Sequence, residues 1–360
     1  MKFVRTIVVL VALAVTVLFA WQANSPAFAK SPISPTGIVP SCQGTNLLEQ
    51  LKTQDAKAYQ ALIKRENGVP NGKGLLWKVE RDGTPASYIY GTMHVSDERL
   101  TTLPGPVIDA LEEASTVALE LDEIADDQKM QQEVIKNIGM IAFMDGRTLE
   151  TVLSKNQLVR LKHTLNKYNM PYAASRGMKP WFVMLSLALP LCEIERQKAG
   201  LKAVDAVIAK TAQKSGARLV GLETVREQFS AFDRMSIDNQ KQFLMNSLRM
   251  MDMLDDQIET MAQLYLQRRT AALWEFAIYL TKKSAREQGG GDLQLQKELA
   301  ALKKFESELV IKRNKVMARR ALPLLKKGKV FIAVGALHLP GQTGLVTLLQ
   351  NAGYKVSAVY

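Results

Sequence analysis

The chain has 360 residues, 47% of them hydrophobic and 23% charged, with a formal net charge of +12. That length buries a sizeable core in one large domain or two small ones. The positive balance points toward anionic lipid or acidic polysaccharide. The basic residues are nevertheless spread out and alternate with acids, as in Lys297 to Lys315, which reads as solvated helix faces. Together with an export segment and the lack of a recognition motif, this argues against nucleic acid as a partner and leaves at most a weak association with a membrane surface.

Residues 1–29 read as a signal peptide. Lys2 and Arg5 form a positive n-region, Ile7 to Ala20 is apolar apart from Thr16, and Ala27-Phe28-Ala29 supplies the small-x-small pattern for a cut after Ala29. The rival, an uncleaved anchor, needs roughly 18 to 20 apolar residues, more than this run offers. Residues 30–41, with Pro and Ser between Ser31 and Pro40, read as a flexible tether. Residues 42–360 are then the folded domain, delivered to the periplasm or outside the cell. Nothing in it sets an oligomeric state. Cys42 and Cys192 are a disulfide candidate in such a compartment, and closing so long a loop would stabilise the fold by up to roughly 5 kcal/mol. Two buried free thiols are the alternative.

Along the folded part, Gly74 to Val79 leads through Asp82-Gly83 into Ser87 to Tyr90, which predicts a hairpin. A helix over Pro106 to Ala114 precedes a strand over Thr116 to Leu121, in which Val117, Leu119 and Leu121 alternate with Ala118 and Glu120. A second helix, Leu201 to Ser215, stops at Gly216 before a strand over Arg218 to Leu222. Lys329 to Val334 is a further strand, followed by a helix from Gly344 to Asn351 and a last strand over Lys355 to Val359. Strands separated by helices predict an α/β (α+β) fold with a central, partly parallel sheet. Large helical insertions fall at about 126–215 and 225–322, the second broken at Gly289-Gly290-Gly291. Met245, Met250, Met251, Met253 and Met261 read as core packing rather than a metal box, and the apolar run Trp181 to Leu191 as a buried helix.

Two of the three histidines share one setting. Ser87-Tyr-Ile-Tyr-Gly91-Thr-Met-His94 and Val330-Phe-Ile-Ala-Val-Gly335-Ala-Leu-His338 each run strand, glycine, two residues, histidine. Glycine lets the backbone leave the strand, so each imidazole belongs at the carboxyl edge of the sheet, where open α/β sheets bind ligands. Glu120, with Asp122 on the same face, and Glu223 stand at the ends of two other strands. If these strands are parallel neighbours, two imidazoles and two carboxylates meet at one rim. Such a set suits Mn²⁺ or Co²⁺ ahead of Zn²⁺, with one carboxylate left as base. Glu223 before Thr224 could instead serve only the following helix. His163 has no comparable setting and reads as exposed. Arg313 and Asn314 are either solvated or paired with nearby Glu306 or Glu308, or the guanidinium instead holds a carboxylate or steadies a developing negative charge.

These segments, with Gly221-Leu-Glu-Thr224, Glu227-Gln228, Arg313-Asn314 and His338-Leu-Pro-Gly341 through Gly344, resemble the TraB/GumN family, related to the TIKI metalloproteases. The resemblance runs in order from about Cys42 to Tyr360 and implies a fold like that of erythromycin-esterase and ChaN-type proteins. It also implies a divalent-metal site from paired G-x-x-H motifs and a glutamate. Carried onto this chain, the metal ligands are His94, His338 and an acid, Glu120 before Glu223. The leading expectation is an exported metal-dependent hydrolase, plausibly a peptidase, in which Glu120, Glu223 and Arg313 are catalytic and the substrate is a peptide or envelope polysaccharide. The competing expectations are a non-catalytic envelope protein that binds a peptide or polysaccharide, and a metal-independent esterase with a histidine base.

Overall fold

The protein is described by a computed structural model that covers residues 42–287, 289 and 291–360. The expected signal peptide and tether, 1–29 and 30–41, lie outside the described residues. No described helix is long and apolar enough to cross a membrane.

Six strands form one mixed sheet: β1 Leu76–Arg81, β2 Thr84–Thr92, β3 Thr116–Leu119, β4 Arg218–Gly221, β5 Val330–Gly335 and β6 Lys355–Ala358, in the spatial order β4-β3-β5-β2-β1-β6. The hairpin is present, with Gly83 at φ 72° in the turn that joins β1 and β2, a left-handed conformation that glycine adopts without a Cβ clash. The four strands β4, β3, β5 and β2 are mutually parallel, so all four carboxyl ends lie along one edge. β1 runs antiparallel to both β2 and β6. This is the partly parallel α/β sheet that the strand and helix pattern predicts. The narrower likeness to erythromycin-esterase and ChaN-type proteins rests on the family resemblance alone.

Alternation along the strands sorts side chains into two cores, one on each face. Val117, Leu119, Tyr90, Phe331 and Ala333 pack on one side with most of the helices. Ala118, Ile89, Ile332 and Val334 pack on the other with Met317, Ala321, Leu345 and Leu349. The second face is thus covered by the helices Lys312–Leu325 and Leu345–Asn351. Between β3 and β4, and between β4 and β5, the chain is helical apart from one isolated bridge, Ala142 to Met178, among the described residues. Met245, Met250 and Met261 are buried in the first core and Met251 and Met253 pack against it.

Two details differ from the sequence reading. The stretch Lys297 to Lys315 is not a purely solvated face, because Glu298, Arg313 and Asn314 are buried. Asp122, expected beside Glu120, falls in a short 3₁₀ turn, Asp122–Ala125, and is exposed, because the strand ends at Leu119 and alternation does not continue past it.

Cys42 and Cys192 are bonded, with a Cα–Cα distance of 5.3 Å across 150 positions of chain. A link over that separation removes much of the unfolded chain's freedom, on the order of 5 kcal/mol in the chain-entropy treatment, and a disulfide of this kind persists in an oxidising compartment. Replacing both cysteines by serine is expected to lower the free energy of unfolding by about 2–5 kcal/mol, measured by urea denaturation. An unchanged midpoint would mean that other contacts already close the loop.

Candidate functional site

The parallel register brings the sequence-predicted residues to one edge. Thr92 of β2 pairs with Gly335 of β5, Leu119 of β3 with Ala333 of β5, and Leu119 with Gly221 of β4. His94, Glu120, Glu223 and His338 therefore emerge one to three residues beyond adjacent strand ends. Gly91 permits this closeness: a Cβ there would meet Leu339 Cδ1 at 2.7 Å and Ala336 Cα at 3.1 Å. All of the cluster is inside the protein, with exposures of 0% for His94, 1% for Glu120 and His338, 4% for Glu223 and 5% for Arg313. His163 stands apart and exposed.

Arg313 joins the two glutamates. Its Nε donates to Glu223 Oε1 at 3.0 Å and its Nη2 to Glu223 Oε2 and Glu120 Oε2, both at 2.6 Å. Of the nearer acids, Glu308 pairs with Lys312. Gln228 Nε2 donates to both carboxylates, at 3.2 and 3.3 Å, and the backbone N–H of Gly335 donates to Glu120 Oε1 at 2.7 Å. Burial alone would raise the Glu120 carboxyl, but the charge of Arg313, helped by both histidines and the Gly335 N–H, holds it below the usual range. Glu120 is therefore a carboxylate. Glu223 is tied to the guanidinium through both oxygens.

Each imidazole is oriented through its Nδ1. His338 Nδ1 lies 2.6 Å from Asn314 Oδ1, while Asn314 Nδ2 donates to the carbonyls of His338 and Thr343. Those two donations fix the amide, so its oxygen accepts and His338 carries its proton on Nδ1. Its Nε2 has a free lone pair, no hydrogen-bond partner, and Glu120 Oε1 at 3.7 Å. Burial, reinforced by Arg313 against the pull of Glu120, lowers the His338 pKa to about 3, so the ring is neutral at ordinary pH. His94 Nδ1 lies 2.6 Å from Asp205 Oδ2, and Thr92 Oγ1 donates to Asp205 Oδ1 at 2.7 Å. Burial works against the protonated His94 ring, and the Asp205 charge and hydrogen bond outweigh it, leaving the pKa raised.

Asp205 and Glu193 escaped the sequence reading. Both sit in helices of ordinary composition, Val204–Lys214 and Leu191–Lys198, and carry no local signal. Glu193 accepts from the backbone N–H of Ser96 at 2.5 Å and from its hydroxyl at 2.7 Å, and so holds the segment that follows His94.

The donor set suits a divalent ion. A carboxylate oxygen faces an unpartnered imidazole nitrogen, and their 3.7 Å gap is close to the about 3.4 Å between two ligands of one tetrahedral ion. Imidazoles braced through the far nitrogen by a carboxylate and an amide are the usual support of metal-bound histidine. Charge agrees: three buried acids, Glu120, Glu223 and Asp205, are set against the guanidinium of Arg313 and a His94 ring whose protonated form Asp205 favours, which leaves an excess of negative charge even with His94 protonated. Among the described residues the one group of three or more such ligand atoms within 4.8 Å of one another is Cys42, Cys192 and Asp255, whose sulfurs are spent in the disulfide; the ligand atoms of His94, Glu120 and His338 are not all drawn that close together.

The family model described as TraB/PrgY/gumN matches residues 75–358. Metalloprotease TIKI2 of Xenopus tropicalis is 26% identical over 333 residues, which cover 78% of this chain and 59% of that protein. Metalloprotease TIKI1 of Danio rerio is 24% identical over 333 residues, 78% and 62% of the two chains. A metalloprotease TIKI homolog of Amphimedon queenslandica is 23% identical over 331 residues, 78% and 61%. The chain thus spans about three-fifths of the length of these relatives, and their names imply a divalent metal. No solved structure matches. The match over most of its length, across the sheet and the rim just described, places this chain in the TraB/PrgY/gumN family.

Proposed function

We propose that the protein is an exported, divalent-metal-dependent hydrolase of the cell envelope, acting on peptide bonds. The observation that carries this reading is the unpartnered Nε2 of His338 facing the Glu120 carboxylate inside a buried cluster with excess negative charge. The names of the metalloprotease relatives support it, and the disulfide supports export to an oxidising compartment.

His94, His338 and Glu120 would hold the ion, Mn²⁺ or Co²⁺ ahead of Zn²⁺. A divalent ion supplies Lewis acidity toward a carbonyl oxygen and lowers the pKa of water toward about 7. Asp205 and Asn314 keep the two rings turned so that Nε2 faces inward. Glu120 Oε1, the carboxylate oxygen nearest the His338 ring, is the one that would face the ion. Arg313 stands ready to steady negative charge on the reacting carbonyl, and Glu223 holds that guanidinium in place through two hydrogen bonds.

In this closed arrangement substrate enters only when the rim parts. A cavity of about 360 Å³ lies beside the His338 segment, lined by Leu337, Pro340, Trp274 and Val310 together with the acids Glu275 and Glu306. The closure also favours a second reading, a non-catalytic protein that binds a peptide or polysaccharide elsewhere on its surface and keeps the polar cluster for stability.

Metal content separates the two readings. After loading with Mn²⁺, Co²⁺ or Zn²⁺, the purified protein is expected to retain one ion per chain and the His94→Ala, His338→Ala double variant none; near-zero content in both would sink the enzyme. Hydrolysis of a mixed peptide library should stop with chelator and return on metal addition. Asp205→Asn is expected to weaken metal affinity by about 10–100-fold with unchanged circular dichroism. Arg313→Ala should cost about 3–5 kcal/mol of stability, because it leaves two buried carboxylates without their cation, measured by denaturant titration against Glu223→Gln.

A further inference from the structure

The helices Leu47–Gln54 and Ala56–Asn67 face the helix Thr270–Glu287 across a cleft of about 630 Å³. That is within the range of ordinary ligand sites, roughly 300–1,000 Å³. Its floor is apolar, formed by Leu51, Ala58, Tyr279 and Leu280. Its rim carries Lys57, Arg65, Lys282, Lys283 and Arg286 against a single acid, Asp55. The Asp55 carboxylate is already engaged, accepting from the backbone N–H of Ala58 at 2.9 Å as a helix cap. Arg65 is engaged too, donating to Glu275 at 2.5 Å. Among the described residues, Lys57, Lys282 and Arg286 have no carboxylate partner at ion-pair distance.

Like charges gathered over an apolar floor repel one another and gain nothing from the floor itself. The Lys282 ammonium registers this: burial first, then the neighbouring Arg65 and Arg286, lower its pKa, with Glu275 opposing. A small inorganic anion would relieve the repulsion and leave the floor wet. A neutral hydrocarbon would cover the floor and leave the cations unpaired. Only a ligand with both parts answers both.

We propose that this cleft binds an anionic amphiphile, with a phosphate or carboxylate head among Lys57, Lys282 and Arg286 and a hydrocarbon stem along Leu51, Tyr279 and Leu280. The proposal is independent of the metal site and shares no residue with it. Charge-assisted hydrogen bonds from lysine and arginine supply the head's affinity, and the buried hydrocarbon adds to it in proportion to its area.

Isothermal titration calorimetry of the full chain tests it with three probes: dodecyl phosphate below its micelle-forming concentration, dodecanol, and inorganic phosphate. Dodecyl phosphate is expected to bind one per chain, at least tenfold tighter than either of the others. The Lys282→Gln, Arg286→Gln double variant should weaken it by about tenfold or more, with the thermal midpoint unchanged. Lys57→Glu, on the opposite wall and exposed, should do the same and guards against a folding defect in the first variant. The proposal is overturned if phosphate binds as tightly as dodecyl phosphate, if dodecanol does, or if both variants bind like the parent chain. Tighter binding of a hexaglutamate peptide at the same residues would overturn it in favour of an acidic protein segment.

Discussion

The guanidinium of Arg313 holds the sheet edge together. It enters from the helix Lys312–Leu325 and reaches Glu120 just beyond β3 and Glu223 just beyond β4, so one side chain ties the ends of two strands to the layer that covers them. Three charged groups removed from water cost several kcal/mol each, and an ion pair seldom recovers all of it. A well-packed apolar trio would be as stable or more so. Retention of the charges is accounted for by what they position. The turn before Arg313 is itself unusual, a π-helical segment over Ser307–Ile311, and Arg313 Nη1 donates back to the Leu309 carbonyl at 3.2 Å. Such widened turns are rare and occur often at functional sites. Here it sets the angle at which Arg313 and Asn314, consecutive residues, reach two different partners.

The remaining geometry follows from that fixed edge. Asn314 is aligned by the same helix and determines which nitrogen of His338 carries the proton. Glu120, pulled down in pKa by Arg313, stays charged next to a ring that burial keeps neutral. A carboxylate beside an unprotonated imidazole nitrogen, both dry, is an arrangement that a cation stabilises and an empty apolar cavity does not. The electrostatics and the hydrogen-bond directions are therefore both compatible with a bound cation.

Much of this edge was legible from residues alone because it depends on local pattern plus one topological rule. A strand ending in Gly91 or Gly335 and followed three residues later by histidine says where the side chain emerges. Helices between the strands say that the strands run parallel, and parallel strands end on the same side. The pairing of Arg313 with Glu120 was not legible, because its nearer acids, Glu306 and Glu308, offered an equally good local partner and sequence distance says nothing about which helix face turns inward. Asp122 misled for the opposite reason: period-two alternation holds only while the strand lasts, and β3 stops at Leu119. Asp205 was invisible because a helical aspartate looks the same whether it meets solvent or an imidazole.

Asp205 also shows what the helical insertions do. Glu193 and Asp205 both come from the stretch between β3 and β4, and both act on the end of β2 and the segment after it: Asp205 on Thr92 and His94, Glu193 on Ser96. The G-x-x-H turn leaves its strand with no sheet partner beyond Thr92, so these side chains replace the missing ladder. Glu193 is in turn adjacent to Cys192, whose bond to Cys42 anchors the start of its helix. A loop that must hold an imidazole to within about half an ångström needs such bracing from rigid elements. The chain supplies it by folding a helical segment back over the end of β2, where Asp205 and Glu193 meet the His94 turn.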